Sequence, residues 1–411
     1  MIKRISLYIG LAFVSINIGN GNLTSLYSYV RQRININTIV PEKIQICVPL
    51  QNNIEDYIYN FRNDISISIL NERGELIVDV NSTLPRIPAS NQKILSSAFA
   101  LDNLGPAYTL NTSLKKLLDG SLYIDASGDP DFDQRHLTEL ISELKSEVLL
   151  SNNKIPIIIK SQNSSTWWPS SWSNSDRKEE YGAPITRYSI ASNSSKSAIN
   201  NPFANFRDEI NFALRKNEIE NKYFTKIVNN NYPVDYISTI NTIYSAPLFV
   251  LLNLVNSESH NFTSEVIFRH SLDNWSHEFP NIKYNKWLKQ QNFNSENFIF
   301  KDASGLSREN RVTTYGLTQF LRRMKKNRFS EYYFSSFSIL GVRGSLSKVY
   351  TPNNLKGKIL AKSGTLKNVK AVTGIILEND KYFSIIVNNM DNSLKYIVDI
   401  LSIIEKDNIC T

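Results

Sequence analysis

Pro88-Ala89-Ser90-Asn91-Gln92-Lys93-Ile94-Leu95 sets a serine and a lysine three residues apart where an apolar run begins. Pro85 and Pro88 precede it, and Ile94, Leu95, Ala98 and Leu101 follow at helical spacing. A helix with one buried face is therefore expected from Ser90 to Leu104-Gly105. Ser90 and Lys93 lie three residues apart and share one face of its first turn. The helix N-terminus adds free N–H groups and partial positive potential near Ser90, which suits a hydroxyl that must develop negative charge. An N-cap serine followed by a solvated lysine has the same spacing, so this stretch alone does not decide.

Two later motifs supply the context. Ser259-His260-Asn261 gives a second Ser/Asn pair, and Lys362-Ser363-Gly364-Thr365 puts a lysine beside a glycine on an expected strand. Ser-x-x-Lys recurs at Ser113/Lys116, Ser142/Lys145, Ser151/Lys154, Ser175/Lys178 and Ser345/Lys348, and Ser-x-Asn at Ser161/Asn163 and Ser295/Asn297. Lys-Ser/Thr-Gly occurs only at Lys362. The three in order are the parts of an acyl-transfer site that uses neither histidine nor metal.

The flanking segments read as one α/β unit drawn from both ends of the chain. Ile65 to Leu70 alternates apolar and polar residues, Asn71 to Gly74 turns, and Leu76 to Val80 returns, which is a β-hairpin. Lys358 to Ala361 leads into the Lys362 motif. Strand-like runs at Ala371 to Leu377 and Tyr382 to Asn388 follow, joined at Asn379-Asp380, and an amphipathic helix runs from Leu394 to Ile404. Residues 106–245 differ in character, with short apolar runs (Leu122 to Ile124, Ile155 to Ile159) and the Trp-rich Trp167 to Trp172, and read as an inserted, mainly β domain. The expected division is 1–25, 26–105 with 246–411, and 106–245.

At 411 residues, 41% hydrophobic and 20% charged, the chain has the balance of a globular protein with room for two domains. Its formal charge of +8 suits an anionic partner such as a cell-wall polymer or membrane surface; compositional drift, in a chain rich in Lys, Asn, Ile and Ser throughout, is the other reading. No run of five or six like charges marks a nucleic-acid patch. Met1-Ile2-Lys3-Arg4 followed by the apolar stretch Ile5 to Ile18 reads as an export signal or uncleaved anchor. Cys47 and Cys410 could form a disulfide in an oxidising compartment, or remain two thiols that never meet. His136, His260, His270 and His277 show no metal-ligand spacing, and G-x-S-x-G is absent, so no metal or other cofactor is expected.

Pro88 to Lys93 resembles the nucleophile motif of the penicillin-recognising DD-peptidases. Asp302-Ala303-Ser304-Gly305-Leu306-Ser307-Arg308-Glu309-Asn310 resembles the D-G-S-G-L-S-R-x-N segment of one branch, the low-molecular-mass class C penicillin-binding proteins, which are D-alanyl-D-alanine carboxypeptidases and endopeptidases. Gly128-Asp129-Pro130, Tyr181-Gly182-Ala183-Pro184 and Glu265 fit the same pattern, which covers most of Asp64 to Asn388.

The resemblance implies a β-lactamase-like domain, an antiparallel sheet flanked by helices, acting on peptidoglycan peptides and inhibited by β-lactam antibiotics in the periplasm. Ser90 would be the nucleophile and Lys93 its base, made neutral by a neighbouring cation such as Lys362 and by burial. Ser259 would relay a proton and Asn261 would hold substrate and Lys93. Lys362, Ser363, Gly364 and Thr365 would meet the terminal carboxylate, and the Ser90 and Thr365 N–H groups would form the oxyanion hole. Asp176, Tyr181 and Arg308 would form a pocket for the diaminopimelate side chain, where Lys367 replaces a common Gln. Asp176 merely solvated in a polar loop is the other reading. His260, Ser363 and Arg343 depart from the usual Asp, Thr and Asp; His260 is expected to point away. A β-lactamase or esterase on the same framework, and a non-catalytic wall-binding homologue, are the alternatives.

Overall fold

The computed structural model describes residues 5–9, 12–16, 44–146, 153–275, 282–293, 298–391, 393–407 and 410. It forms two compact units, Met1–Val40 and Pro41–Thr411. In the first, strands β1 (Ile5–Ile9) and β2 (Ala12–Ile16) pair antiparallel. Apart from these strands, the export or anchor segment expected at residues 1–25 lies outside the described residues. Among the described residues no helix is long and apolar enough to cross a membrane.

In the second unit the chain runs α1 (Val48–Ile58), β3 (Ile65–Leu70), β4 (Leu76–Val80), α2 (Lys93–Leu104), β5 (Asn111–Leu117), β6 (Leu122–Asp125), α3 (Gln134–Ser142), β7 (Ile155–Lys160), α4 (Pro202–Lys216), β8 (Tyr223–Val228) and β9 (Tyr236–Tyr244). It continues through α5 (Leu248–Asn256), α6 (Asn261–Leu272), α7 (Ile282–Gln290), α8 (Thr314–Met324), α9 (Ser330–Ser335), β10 (Ser338–Ile339), β11 (Ile359–Leu366), β12 (Val369–Ile376), β13 (Lys381–Asn388) and α10 (Leu394–Lys406).

The first sheet has the order β10-β11-β12-β13-β3-β4 and is antiparallel throughout. The alternation in Ile65-Ser66-Ile67-Ser68-Ile69 fits a strand with one wet face, yet every one of these residues is buried. Ile65, Ile67 and Ile69 join a core with Leu50 and Ile54 of α1 and Ile397 and Leu401 of α10. The small hydroxyl residues let elements approach the opposite face. Ser68 Oγ lies 3.0 Å from Thr318 Oγ1 of α8, and Ser66 Oγ accepts from Arg86 Nε at 2.9 Å. Buried hydroxyls are tolerated there because each has a partner.

Helix α2 is buried over its first nine residues, Lys93 to Leu101. Its Phe99 packs among Phe268, Tyr284 and Trp287 at centroid separations of 5.2–5.4 Å. A fully buried Phe contributes about 1.5–3 kcal/mol, so this cluster anchors the helix that carries Ser90. Cys47, next to α1, and Cys410 near the C-terminus are joined in a disulfide with Cα atoms 5.9 Å apart.

A second sheet takes its strands from residues 111–244 in the order β8-β7-β6-β5-β9. β6–β7 and β7–β8 are parallel, so helices α3 and α4 serve as crossovers, as parallel neighbours require. Leu137 and Ile141 of α3 and Phe206 and Ile210 of α4 pack on Leu114, Ile124, Ile157 and Ile159. Neither helix is evident from the short apolar runs in the sequence. Both have local start signals: Asp133 Oδ1 accepts from His136 N at 3.0 Å, and Asn201 Oδ1 accepts from Ala204 N at 3.0 Å.

Candidate active site

The turn Ala89–Gln92 leads directly into α2, with Ala89 in the left-handed region at φ +48°. Ser90 therefore sits in the first turn, as its spacing implies. Lys93 is fully buried, and its Nζ lies 3.1 Å from Ser90 Oγ, 2.6 Å from Asn261 Oδ1 and 2.6 Å from the Ser304 carbonyl. The carbonyl can only accept. Asn261 Nδ2 donates to the Tyr181 carbonyl at 2.9 Å, which fixes Asn261 Oδ1 as an acceptor too. A neutral Lys93 spends its two N–H groups on these acceptors, and its lone pair is left facing Ser90 Oγ, which then donates to it. The geometry leaves a neutral Lys93 able to accept a proton from one hydroxyl, that of Ser90.

Each acceptor is positioned by a distinct part of the chain. The Asp302–Asn310 segment presents Ser304, and Asp302 organises it. Its carboxylate accepts from Trp172 Nε1 (2.7 Å), Gly305 N (2.8 Å), Ser307 N (2.6 Å) and Asn310 Nδ2 (2.7 Å). Gly305 has φ +81°, and a Cβ there would fall 1.9 Å from the Ala89 carbonyl oxygen. Glu265 Oε1 accepts from Ala303 N and Ser304 N at 2.9 and 2.8 Å. Asn261 is the first residue of α6, after Ser259 in the left-handed region at φ +64°. His260 Nδ1 pairs with the side chain of Thr263, Oγ1, at 2.7 Å, and does not cap the helix.

Strand β11 closes the other side. Lys362 Nζ donates to Ser259 Oγ at 2.9 Å and to the Ser363 carbonyl at 2.8 Å. Gly364 is required by proximity: a Cβ would stand 2.8 Å from the Pro88 carbonyl oxygen and 3.1 Å from Ser90 N. The missing Cβ lets β11 press against the start of the Ala89–Gln92 turn. Between them opens a cleft of about 240 Å³ lined by Ser90, Ser259, Ser345, Ser363, Gly364 and Thr365, with Leu346, Ala371 and Leu394.

Burial lowers the Lys93 pKa to about 7, against the opposing pull of Asp302 and Glu265. Burial also pushes Lys362 well down, and the Lys93 charge adds to it. The neighbouring-cation effect expected on Lys93 thus falls on Lys362, with desolvation as the first cause for both. Glu265 is raised to about 7 by burial and then by Asp302. His260 is lowered to about 4 by burial and by Lys93, so it is neutral near pH 7.

Ser90, Lys93, Ser259, Asn261 and Lys362 come together, and Ser363, Gly364 and Thr365 line the same cleft. Asp176 and Tyr181 meet each other: Tyr181 Oη donates to Asp176 Oδ1 at 3.1 Å, and Ser173 Oγ to Asp176 Oδ2 at 2.7 Å. Arg308 donates to the Lys367 carbonyl at 2.7 Å, at the end of β11. Tyr181 touches the centre through its carbonyl on Asn261, not its ring. Sequence reasoning missed Ser345, the Ser304 carbonyl and the Tyr181 carbonyl. The last two are main-chain groups with no side-chain signature, although the Asp302 and Tyr181 motifs mark where they lie.

The chain matches the family model of the D-Ala-D-Ala carboxypeptidase 3 (S13) family over residues 50–202 and 187–400. It is 32% identical over 110 residues to penicillin-sensitive carboxypeptidase A of Dictyostelium discoideum (24% of this chain, 21% of that protein). It is 29% identical over 140 residues to D-alanyl-D-alanine carboxypeptidase DacB of Haemophilus influenzae (32% of this chain, 29% of that protein). These matches span less than a third of either relative. Among solved structures, penicillin binding protein 4 of Haemophilus influenzae superposes with a TM-score of 0.72 at 20% identity, covering 82% of this chain and 93% of that one. A predatory peptidoglycan endopeptidase of Bdellovibrio bacteriovorus gives a TM-score of 0.55 at 16% identity, covering 82% and 90%. The fold is therefore that of the penicillin-binding proteins, and the chain belongs to the D-Ala-D-Ala carboxypeptidase 3 (S13) family.

Proposed function

We propose that this chain is a serine DD-peptidase that cleaves peptidoglycan stem peptides or cross-links through an acyl-enzyme on Ser90, and that β-lactams acylate the same hydroxyl. The observation that carries this is the Lys93 amine, buried, with a pKa near 7 and its lone pair directed at Ser90 Oγ 3.1 Å away. Lys93 Nζ takes the Ser90 proton as Oγ attacks the carbonyl of the penultimate D-alanine. The Ser90 and Thr365 N–H groups receive the oxyanion, and losing one such donor typically costs about 3 kcal/mol.

Ser259 Oγ, held by Lys362, passes a proton to the departing amine, and the proton that Lys93 took from Ser90 returns to Ser259, which leaves Lys93 neutral for the second half-reaction. The terminal carboxylate of the substrate lies in the cleft by Lys362, Ser363 and Thr365. Its charge there opposes the depression of the Lys362 pKa and restores the ammonium. Water then attacks the acyl-enzyme, with Lys93 again accepting the proton. Asp176, Tyr181 and Arg308 are assigned to recognition of the peptide's diaminopimelate side chain.

The division into residues 26–105 with 246–411 and 106–245 is part of the same reading, as are export to the periplasm by the N-terminal segment and loose association with an anionic membrane surface through the net charge of +8. Limited proteolysis, the N-terminal mass of the exported protein and vesicle co-sedimentation test these respectively. The activity is tested by D-alanine release from a stem pentapeptide. Release by the parent and none by Ser90→Ala supports the assignment; no release by a folded parent overturns it. Rapid turnover of β-lactams without peptide cleavage favours the β-lactamase alternative.

A further inference from the structure

Gly341-Val342-Arg343-Gly344-Ser345-Leu346 belongs to none of the motifs that define the catalytic centre, yet it brings an exposed hydroxyl into the cleft. Gly344 lies at φ +73°, and a Cβ there would fall 2.2 Å from Ser257 Oγ and 2.7 Å from Ser338 Oγ. Only glycine lets this loop press so closely on the residues leading to Ser259. Ser345 N donates to the Ser257 carbonyl at 2.8 Å, and the Arg343 guanidinium donates to the Ser335 and Phe337 carbonyls. The loop is fixed from both ends.

Ser345 Oγ lies 2.6 Å from Ser363 Oγ and 3.1 Å from Ser338 Oγ, and Ser338 Oγ donates to the Ser257 carbonyl at 3.0 Å. A hydroxyl has one proton, and a carbonyl can only accept. The Ser338 proton is therefore committed to Ser257, so Ser345 donates to Ser338 and Ser363 donates to Ser345. In the free protein this chain draws the Ser363 proton away from the cleft and toward the loop. A carboxylate arriving beside Lys362 needs the opposite polarity, with hydroxyl protons turned outward.

We propose that Ser345 is a third hydroxyl of the subsite for the substrate's terminal carboxylate, and that it sets the direction of the Ser363 proton. This rests on the peptidase reading above. When the anion enters, Ser345 swings its proton from Ser338 to a carboxylate oxygen. Ser338 keeps its bond to Ser257, so no buried donor is stranded, and Ser363 donates to the anion as well once its Oγ moves off the 2.6 Å contact with Ser345. A C-terminal amide has one acceptor oxygen and brings N–H donors of its own, so it gains far less from this rearrangement.

The test compares Ser345→Ala and Ser345→Thr with the parent on a diacyl-lysyl-D-alanyl-D-alanine peptide and on the same peptide ending in an amide. For Ser345→Ala the expected result is a rise in KM of about tenfold on the carboxylate peptide, the loss of one charge-assisted hydrogen bond. The amide peptide should show a much smaller rise, and Ser345→Thr should restore most of the loss. An unchanged or lower KM for Ser345→Ala on the carboxylate peptide overturns the assignment, as does an equal loss on both peptides. A parent that cleaves neither peptide overturns the peptidase reading, and this inference with it.

Discussion

Replacing Glu265 by Gln should move the pH profile of acylation to lower pH. Only the neutral amine of Lys93 can take the Ser90 proton, so the rate follows its deprotonated fraction and rises with pH. With a pKa of about 7, that fraction is about one-tenth at pH 6 and about nine-tenths at pH 8. The parent should therefore gain about tenfold over this interval and level off above it. A lysine at its ordinary value would keep gaining tenfold per unit through pH 9.

Glu265 opposes the lowering of Lys93, because its charge favours the ammonium. A buried neighbouring charge is worth about 1–3 pKa units. Glu265 itself titrates near 7 and is only half ionised there, so the lower end applies, and the midpoint should fall by about one unit. Gln keeps an acceptor oxygen for the Ala303 and Ser304 N–H groups, so the carbonyl that holds Lys93 stays in place. Stopped-flow acylation by a fluorescent penicillin over about pH 5.5–9 reads both midpoints. A midpoint that rises or stays fixed in Glu265→Gln, or a parent rate with no plateau by pH 9, rules out Lys93 as the group that controls acylation.

Gly364→Ala should abolish acylation with a stability loss of about 1–3 kcal/mol, since its Cβ meets the Pro88 carbonyl and Ser90 N; labelling alongside a thermal melt separates the two. Asp302→Ala should cost about 3–5 kcal/mol in denaturant titrations and also end acylation. It strands the buried donors of Trp172, Gly305, Ser307 and Asn310 and releases Ser304 from Lys93. Reduction of Cys47–Cys410, which closes a loop of 363 residues, should lower stability by about 2–5 kcal/mol; a melt with and without reductant reads it.

The fold was most legible where local signals and packing agree. The hairpin at Ile65–Leu70 and Leu76–Val80, the helix after Ser90, the strands around Lys362 and the closing helix at Leu394 all follow from periodicity and turn residues. The environment of the β3 serines was left open, because alternation cannot tell a wet face from one covered by a helix through small hydroxyls. Helices α3 and α4 were missed although Asn201-Pro202 with Phe203, Phe206 and Ile210 carries a start signal and helical spacing. The disulfide joins residues too far apart in the chain for sequence to decide.

In the site, side chains with distinctive chemistry were found and main-chain partners were not. Ser345 was passed over as one more Ser-x-x-Lys, since nothing local distinguishes a serine in a turn from one aimed into a cleft. Arg343, whose substitution had no explanation in the sequence, turns out to fasten the loop that carries it. The direction of the charge effect between Lys93 and Lys362 also needed structure, because both amines are buried and Asp302 and Glu265 support the charge of Lys93.

The most direct test of the account is the site of penicillin acylation, read by intact mass and by the mass of the peptide containing Ser90. One adduct is expected, located on Ser90, absent in Ser90→Ala and lost in Lys93→Ala although that variant stays folded. An adduct on any other residue, or undiminished labelling of Ser90→Ala, would contradict it.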